Sequence, residues 1–143
     1  MWTYFDTSAL VKRYVDEPGR REVLRLLRRN EILTSAVLPV ELRSSLRRRV
    51  AEGTIDAVRL PAILKHVAAD RPYWTLVEVG IDVLAGAEAL VAAHPIRTLD
   101  AIHVASAQLF AARVSMPGLI FVSADKRQTE TGAAVGLLVR HIE

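Results

Sequence analysis

The chain contains no cysteine, which excludes both a disulfide framework and thiolate metal sites. No apolar stretch approaches the roughly 20 residues a membrane helix requires. The first residues carry neither the basic flank nor the apolar run of a secretion signal. Lysine is scarce: Lys12, Lys65 and Lys126 are the only ones among 19 basic residues, so the rest are arginine. Glycine is sparse as well, with 7 residues, and none builds a Gly-rich phosphate-binding loop. No linker, repeat or low-complexity tract breaks the chain. These absences predict a soluble intracellular protein, hence a cytoplasmic location and no membrane partner.

What is present is a chain of 143 residues, 51% hydrophobic. That suits one domain with a proper core, spanning residues 1–143. The formal net charge is +3 and the sequence pI is about 9.7. Arginines gather at Arg20, Arg21, Arg25, Arg28 and Arg29, and again at Arg43, Arg47, Arg48 and Arg49. Each cluster alone reads as a solvated helix face; together they also suit a polyanionic partner, because guanidinium binds phosphate bidentately.

Strand and helix patterns alternate. Short β-friendly runs occur at Trp2–Phe5, Ile32–Thr34, Thr75–Val79, Leu119–Val122 and Leu137–Val139. Helical spacing marks Ser8–Val15 and then a basic stripe after Pro18-Gly19. Ser35 is placed to cap a helix reaching Glu52, and Thr54 one reaching Ala69 with Pro61 delaying its start. Asp82–Ala93 is helical. Thr98 reads as the cap of a helix to Val114 that is apolar almost all round, the mark of a buried central helix. Strands separated by helices predict an α/β fold, a parallel sheet covered on both faces. Functional groups in such folds gather at the carboxyl ends of the strands.

Four carboxylates share that address. Asp6 ends the first strand, in WTYFD, and Asp125 follows the fourth, in FVSAD. Asp100 opens the apolar helix within LDAIHVASA, and Glu41 sits early in its own helix within LPVELRSSL. Singly, each has a plain explanation: the helix dipole favours acids near helix N-termini by about 0.3–1 kcal/mol, which covers Asp100 and Glu41, and Asp6 and Asp125 read as ordinary loop acids. Together, buried carboxylates need cations. Hard cations such as Mg²⁺ or Mn²⁺ take oxygen ligands and act on phosphodiesters.

The stretches DTSALVKRY, SAVLPVE, LDAIHVASA and FVSAD, in this order across nearly the whole chain, resemble the PIN-domain family, most of all VapC-type toxins of toxin–antitoxin pairs. The resemblance implies a three-layer α/β/α sandwich around a parallel five-stranded sheet. It also implies a Mg²⁺- or Mn²⁺-dependent endoribonuclease, a homodimer held inactive by a small antitoxin. Asp6, Glu41, Asp100 and Asp125 match the family's acidic quartet, with Asp6, Asp100 and Asp125 as metal ligands and Glu41 beside the attacking water. Ser8 and Ser123 match supporting polar residues. The sequence departs from the family where a second acid follows Asp125 by two residues in some members; Arg127 stands there.

Several residues keep two readings at this point. Lys12 and Arg13 either contact RNA phosphate or belong to a solvated face, and Arg97, just before the Asp100 turn, is placed to line the cleft as a substrate contact. His103 either touches substrate or packs its helix. Trp2, Tyr4 and Trp74 either stack bases or fill the core. A response-regulator receiver is disfavoured because Asp6 is followed by Thr-Ser and no lysine follows the fifth strand. A haloacid-dehalogenase phosphatase would place an acid at position 8, where serine stands. A housekeeping RNA-processing nuclease and a non-catalytic binding module of the same fold remain as alternatives.

Overall fold

The computed structural model describes residues 1–115 and 118–143. It begins with the strand β1 (Trp2–Phe5), whose residues alternate between two cores: Tyr4 packs into one and Phe5 into the other. Strand β4 (Ile120–Ser123) repeats the pattern, with Phe121 on the Tyr4 side and Val122 on the Phe5 side. This period of two requires helices over both faces of the sheet.

One face is covered by α1 (Thr7–Leu10), α2 (Arg20–Arg29), α3 (Leu38–Ala51) and α4 (Leu60–Asp70). The other carries α5 (Ile81–Ala93), α6 (Thr98–Arg113) and α7 (Lys126–Ala134). With β2 (Glu31–Ser35), β3 (Trp74–Val77) and β5 (Leu138–His141), the sheet runs β3-β2-β1-β4-β5, parallel throughout. The predicted three-layer architecture with a parallel five-stranded sheet is the one observed. β1 is central, and β4 is its direct neighbour, so Asp6 and Asp125 leave the same sheet edge.

Element boundaries differ from the sequence reading where caps were misplaced. The helix predicted over Ser8–Val15 is a single α-turn, α1, running into a 3-10 turn at Val11–Arg13. Ser35 lies in β2, and α3 starts only at Leu38. Thr54 caps nothing. Its hydroxyl donates to the Arg49 carbonyl at 3.0 Å, while Asp56 caps a 3-10 turn at Ala57–Arg59 ahead of α4. Thr98 is the first helical residue of α6 rather than its cap. Helix α7 had no sequence signal, because KRQTETGAA carries no apolar stripe.

As predicted, α6 is deeply embedded: Ala101 through Ala107 are all buried. The aromatics belong to the fold. Tyr4 and Trp74 are core residues, and Trp2 packs edge-on against Phe110 with ring centroids 5.4 Å apart. Among the described residues no helix is long and apolar enough to cross a membrane.

Candidate active site

Asp6 is both a cap and a cluster member. Its backbone N–H is held by the Val122 carbonyl, and its side chain accepts from Ala9 N at 2.9 Å, closing the first turn of α1. It is 1% exposed. Ser8 Oγ donates to the carboxylate, 2.8 Å from each oxygen, and Ser123 Oγ donates to Oδ2 at 2.8 Å. Ser123 in turn accepts from Asp125 N, and Ser8 accepts from Ala124 N, both at 2.9 Å. The two serines therefore stitch the β1 end to the β4 end. Burial pushes the Asp6 carboxyl above its ordinary value, outweighing the His103 ring and the hydrogen bonds from Ser8, Ala9 and Ser123.

Asp125 caps α7, accepting from Arg127 N at 2.8 Å and Gln128 N at 3.2 Å. Asp100, in the first turn of α6, accepts from Gln128 Nε2 at 2.9 Å through Oδ1. Its Oδ2 is buried without a hydrogen bond; Arg97 Nε, on an exposed side chain, stands 3.6 Å away. Burial raises the Asp100 carboxyl, and the charges of Asp125 and Asp6 add to that.

Glu41 is held from two sides. Thr7 Oγ1 donates to Oε1 at 2.9 Å, and His103 Nε2 lies 2.5 Å from the same oxygen. The His103 ring is 1% exposed, with Nδ1 2.8 Å from the Tyr4 hydroxyl. His103 is thus more than a packing residue; it links Tyr4 of β1 to Glu41.

Asp6, Glu41, Asp100 and Asp125 line one cleft of about 1170 Å³, with Ser8, Lys12, Arg97 and His103. The sequence had also left Lys12 open as an RNA contact. Its ammonium donates to the Pro18 carbonyl at 2.8 Å and pairs with Glu17 at 3.3 Å, anchoring the turn before α2. Gly19 in that turn has φ +87°, and a side chain there would run into Ile142 and Glu143. Arg13 is not brought to the cleft. Asp70, at the end of α4, accepts from its Nε at 2.5 Å and Nη2 at 3.1 Å.

Sequence reasoning missed Thr7 and Gln128 in the cleft and Tyr4 behind His103, and it read Arg48, on the cleft wall, only as one of a cluster of arginines. Thr7 was legible as a neighbour of Asp6. The other three depend on packing between distant segments.

The donor set suits a hard cation. Its side chains are oxygen donors around two buried oxygens without hydrogen-bond partners, Asp100 Oδ2 and Gln128 Oε1. Among the described residues, no three acidic or imidazole side chains converge closely enough to hold an ion by themselves. Mg²⁺ usually retains several waters and takes only one or two carboxylates directly, so this spacing is compatible with it.

The family model of the PIN domain matches residues 3–134. Among solved structures, the chain is similar to VapBC2 from Rickettsia felis bound to a DNA fragment from its promoter. The identity is 13%, with 100% of both chains covered and a TM-score of 0.65. It is also similar to FitAcB from Neisseria gonorrhoeae at 14% identity, covering 96% of this chain and 95% of that one, with a TM-score of 0.58. A search of curated protein sequences returned no match.

Proposed function

The chain belongs to the PIN domain family, and we propose that it is a Mg²⁺- or Mn²⁺-dependent endoribonuclease, the toxin of a toxin–antitoxin pair. The observation that carries this reading is the convergence of Asp6, Glu41, Asp100 and Asp125 on one cleft at the carboxyl edge of the sheet. None of the four acids is missing, which weighs against a pure binding module. Asp6, Asp100 and Asp125 would hold the cation, some of them through its bound waters. When bound, such an ion neutralises phosphodiester charge and lowers the pKa of water.

The protein's own groups then have distinct tasks. Asp6 is fixed by Ser8, Ser123 and Ala9 N, so it offers a preorganised charge. Thr7 and His103 both occupy Glu41 Oε1, leaving Oε2 to take a proton from the attacking water. That water's oxygen bonds to phosphorus as the scissile P–O bond breaks, and the leaving oxygen takes a proton from solvent. Arg48 and Arg97, both exposed on the cleft wall, are placed to meet the negative backbone of the substrate.

The likeness to VapBC2 and FitAcB supports a small antitoxin as partner; a homodimer and a cytoplasmic setting belong to the same proposal. The deciding experiment is cleavage of a mixed RNA pool by purified protein with Mg²⁺, with Mn²⁺ and with EDTA, beside Asp100→Asn. Metal-dependent cutting lost in the variant is the expected result. Cutting that survives both EDTA and the substitution would overturn the assignment. Growth arrest on expression, relieved by a co-expressed neighbouring gene, separates a toxin from a housekeeping nuclease.

A further inference from the structure

The carboxamide of Gln128 is the least expected group in the cleft. It sits in the first turn of α7, three residues beyond Asp125, and is 3% exposed. Its backbone N–H donates to Asp125 Oδ1 at 3.2 Å, and its side-chain Nε2 donates to Asp100 Oδ1 at 2.9 Å. One residue therefore touches two of the four acids, from two different helices. The amide orientation is chemically determined. Turned over, it would set Oε1 against a carboxylate oxygen, two acceptors face to face.

With Nε2 committed to Asp100, Oε1 is left buried and without a hydrogen-bond partner. So is Asp100 Oδ2. A buried carbonyl oxygen without a partner gives up the hydrogen bond it would have in water. Here two such oxygens, one neutral and one anionic, belong to residues joined by a hydrogen bond and lining the same acidic cleft. Amide carbonyls are ordinary ligands of hard divalent cations.

Resting on the metal-dependent reading above, we propose that Gln128 is a fifth member of the metal site. Its N–H fixes Asp100, and its Oε1 supplies a neutral oxygen to the divalent cation. This places a donor on α7 where Arg127 offers none, and it adds no negative charge to a cluster already crowded with it. A residue that merely ties α6 to α7 would need the N–H but would have no use for the unpartnered oxygen.

The test is Mn²⁺ binding by the full chain, read as the free-ion EPR signal, for wild type, Gln128→Leu, Gln128→Glu and Asp100→Asn. The dissociation constant is expected to rise about tenfold or more in Gln128→Leu and to stay level or fall in Gln128→Glu, which restores an oxygen. The chain has two glutamines, Gln108 and Gln128, so ¹³C labelling at glutamine Cδ gives an internal control. Saturating Mg²⁺ is expected to shift the Gln128 carbon and leave Gln108 in place.

Unchanged Mn²⁺ affinity in Gln128→Leu, or a Gln128 Cδ that stays put at saturation, overturns the proposal. So does weakening in Gln128→Glu as deep as in the leucine variant. If Gln128→Leu does not fold, the glutamate variant and the carbon shift decide. A folded wild type that binds neither cation instead overturns the metal-dependent reading itself, and this proposal with it.

Discussion

His103 Nε2 lies 2.5 Å from Glu41 Oε1, and the opposite ring nitrogen lies 2.8 Å from the Tyr4 hydroxyl. Burial holds the Tyr4 phenol well above its ordinary pKa, so it stays protonated. A phenol that donates to Nδ1 makes that nitrogen the acceptor and leaves the proton on Nε2, facing Glu41. Tyr4 thereby selects the tautomer that orients the carboxylate. Tyr4→Phe is expected to cost about 1–3 kcal/mol, because a buried acceptor loses its donor. It is also expected to lower kcat with KM little changed. Urea denaturation and steady-state RNA cleavage read the two effects separately.

Asp100→Asn removes a charge that burial and the neighbouring Asp125 and Asp6 already disfavour. In EDTA, this variant is expected to melt at a higher temperature than wild type while losing cleavage. Calorimetry of both proteins, with and without Mg²⁺, tests this. A metal-free variant that melts below wild type would mean that Asp100 is braced more than it is repelled.

The pH dependence of the metal-free protein follows from the same groups. Asp6 and Asp100 have raised folded-state pKa values. The folded state therefore binds more protons than the unfolded chain in the window between the two values. Their contribution to stability is present at low pH and is lost as pH rises through the folded pKa. Chelated wild type is expected to gain stability as pH is lowered from 7 into that window. The gain should shrink in Asp100→Asn, as followed by denaturation midpoints across the series.

Asp70 works in the opposite direction. Its partial burial raises the carboxyl, but hydrogen bonds from Arg13 and Tyr14 outweigh that and bring it below its ordinary value of 3.8. The Tyr14 hydroxyl donates to Oδ2 at 2.7 Å. This stability is present above the unfolded pKa and lost as pH falls through the folded one. Asp70→Ala is expected to destabilise by about 1.5–3 kcal/mol, the range for hydrogen bonds to charged groups. Arg13→Ala should also destabilise, and neither variant should move KM for RNA. A raised KM in Arg13→Ala would restore it as a substrate contact.

Arg48 is exposed on the cleft wall. Arg48→Ala is expected to raise KM several-fold and to flatten its dependence on salt, since one phosphate contact fewer releases fewer counterions. Cleavage rates between 50 and 200 mM salt for both proteins make the comparison.

The order of strands and helices was legible because it is written in local periodicity, and every predicted strand occurs. Asp6, Glu41, Asp100 and Asp125 were legible for a related reason. Each stands at the end of a strand or near the start of a helix, and those ends face one edge of a parallel sheet. Helix caps were read less well. Asp56 and Thr54 are two residues apart and both of a capping type, and the path of the chain chose Asp56.

What tertiary structure alone decided are the partnerships between distant residues. His103 and Glu41 are 62 positions apart, Arg13 and Asp70 57, and Gln128 and Asp100 28. Local periodicity put Arg13 and His103 in helical runs and gave Gln128 no element, and it could not say which neighbour each would meet. That choice is made when close-packed helices settle on both faces of the sheet and fix which side chains come within 3 Å. The sequence by itself determined a parallel α/β protein with four acids at one edge. Packing determined that Arg13 braces α4, that His103 holds Glu41, and that Gln128 joins the acids with an oxygen to spare.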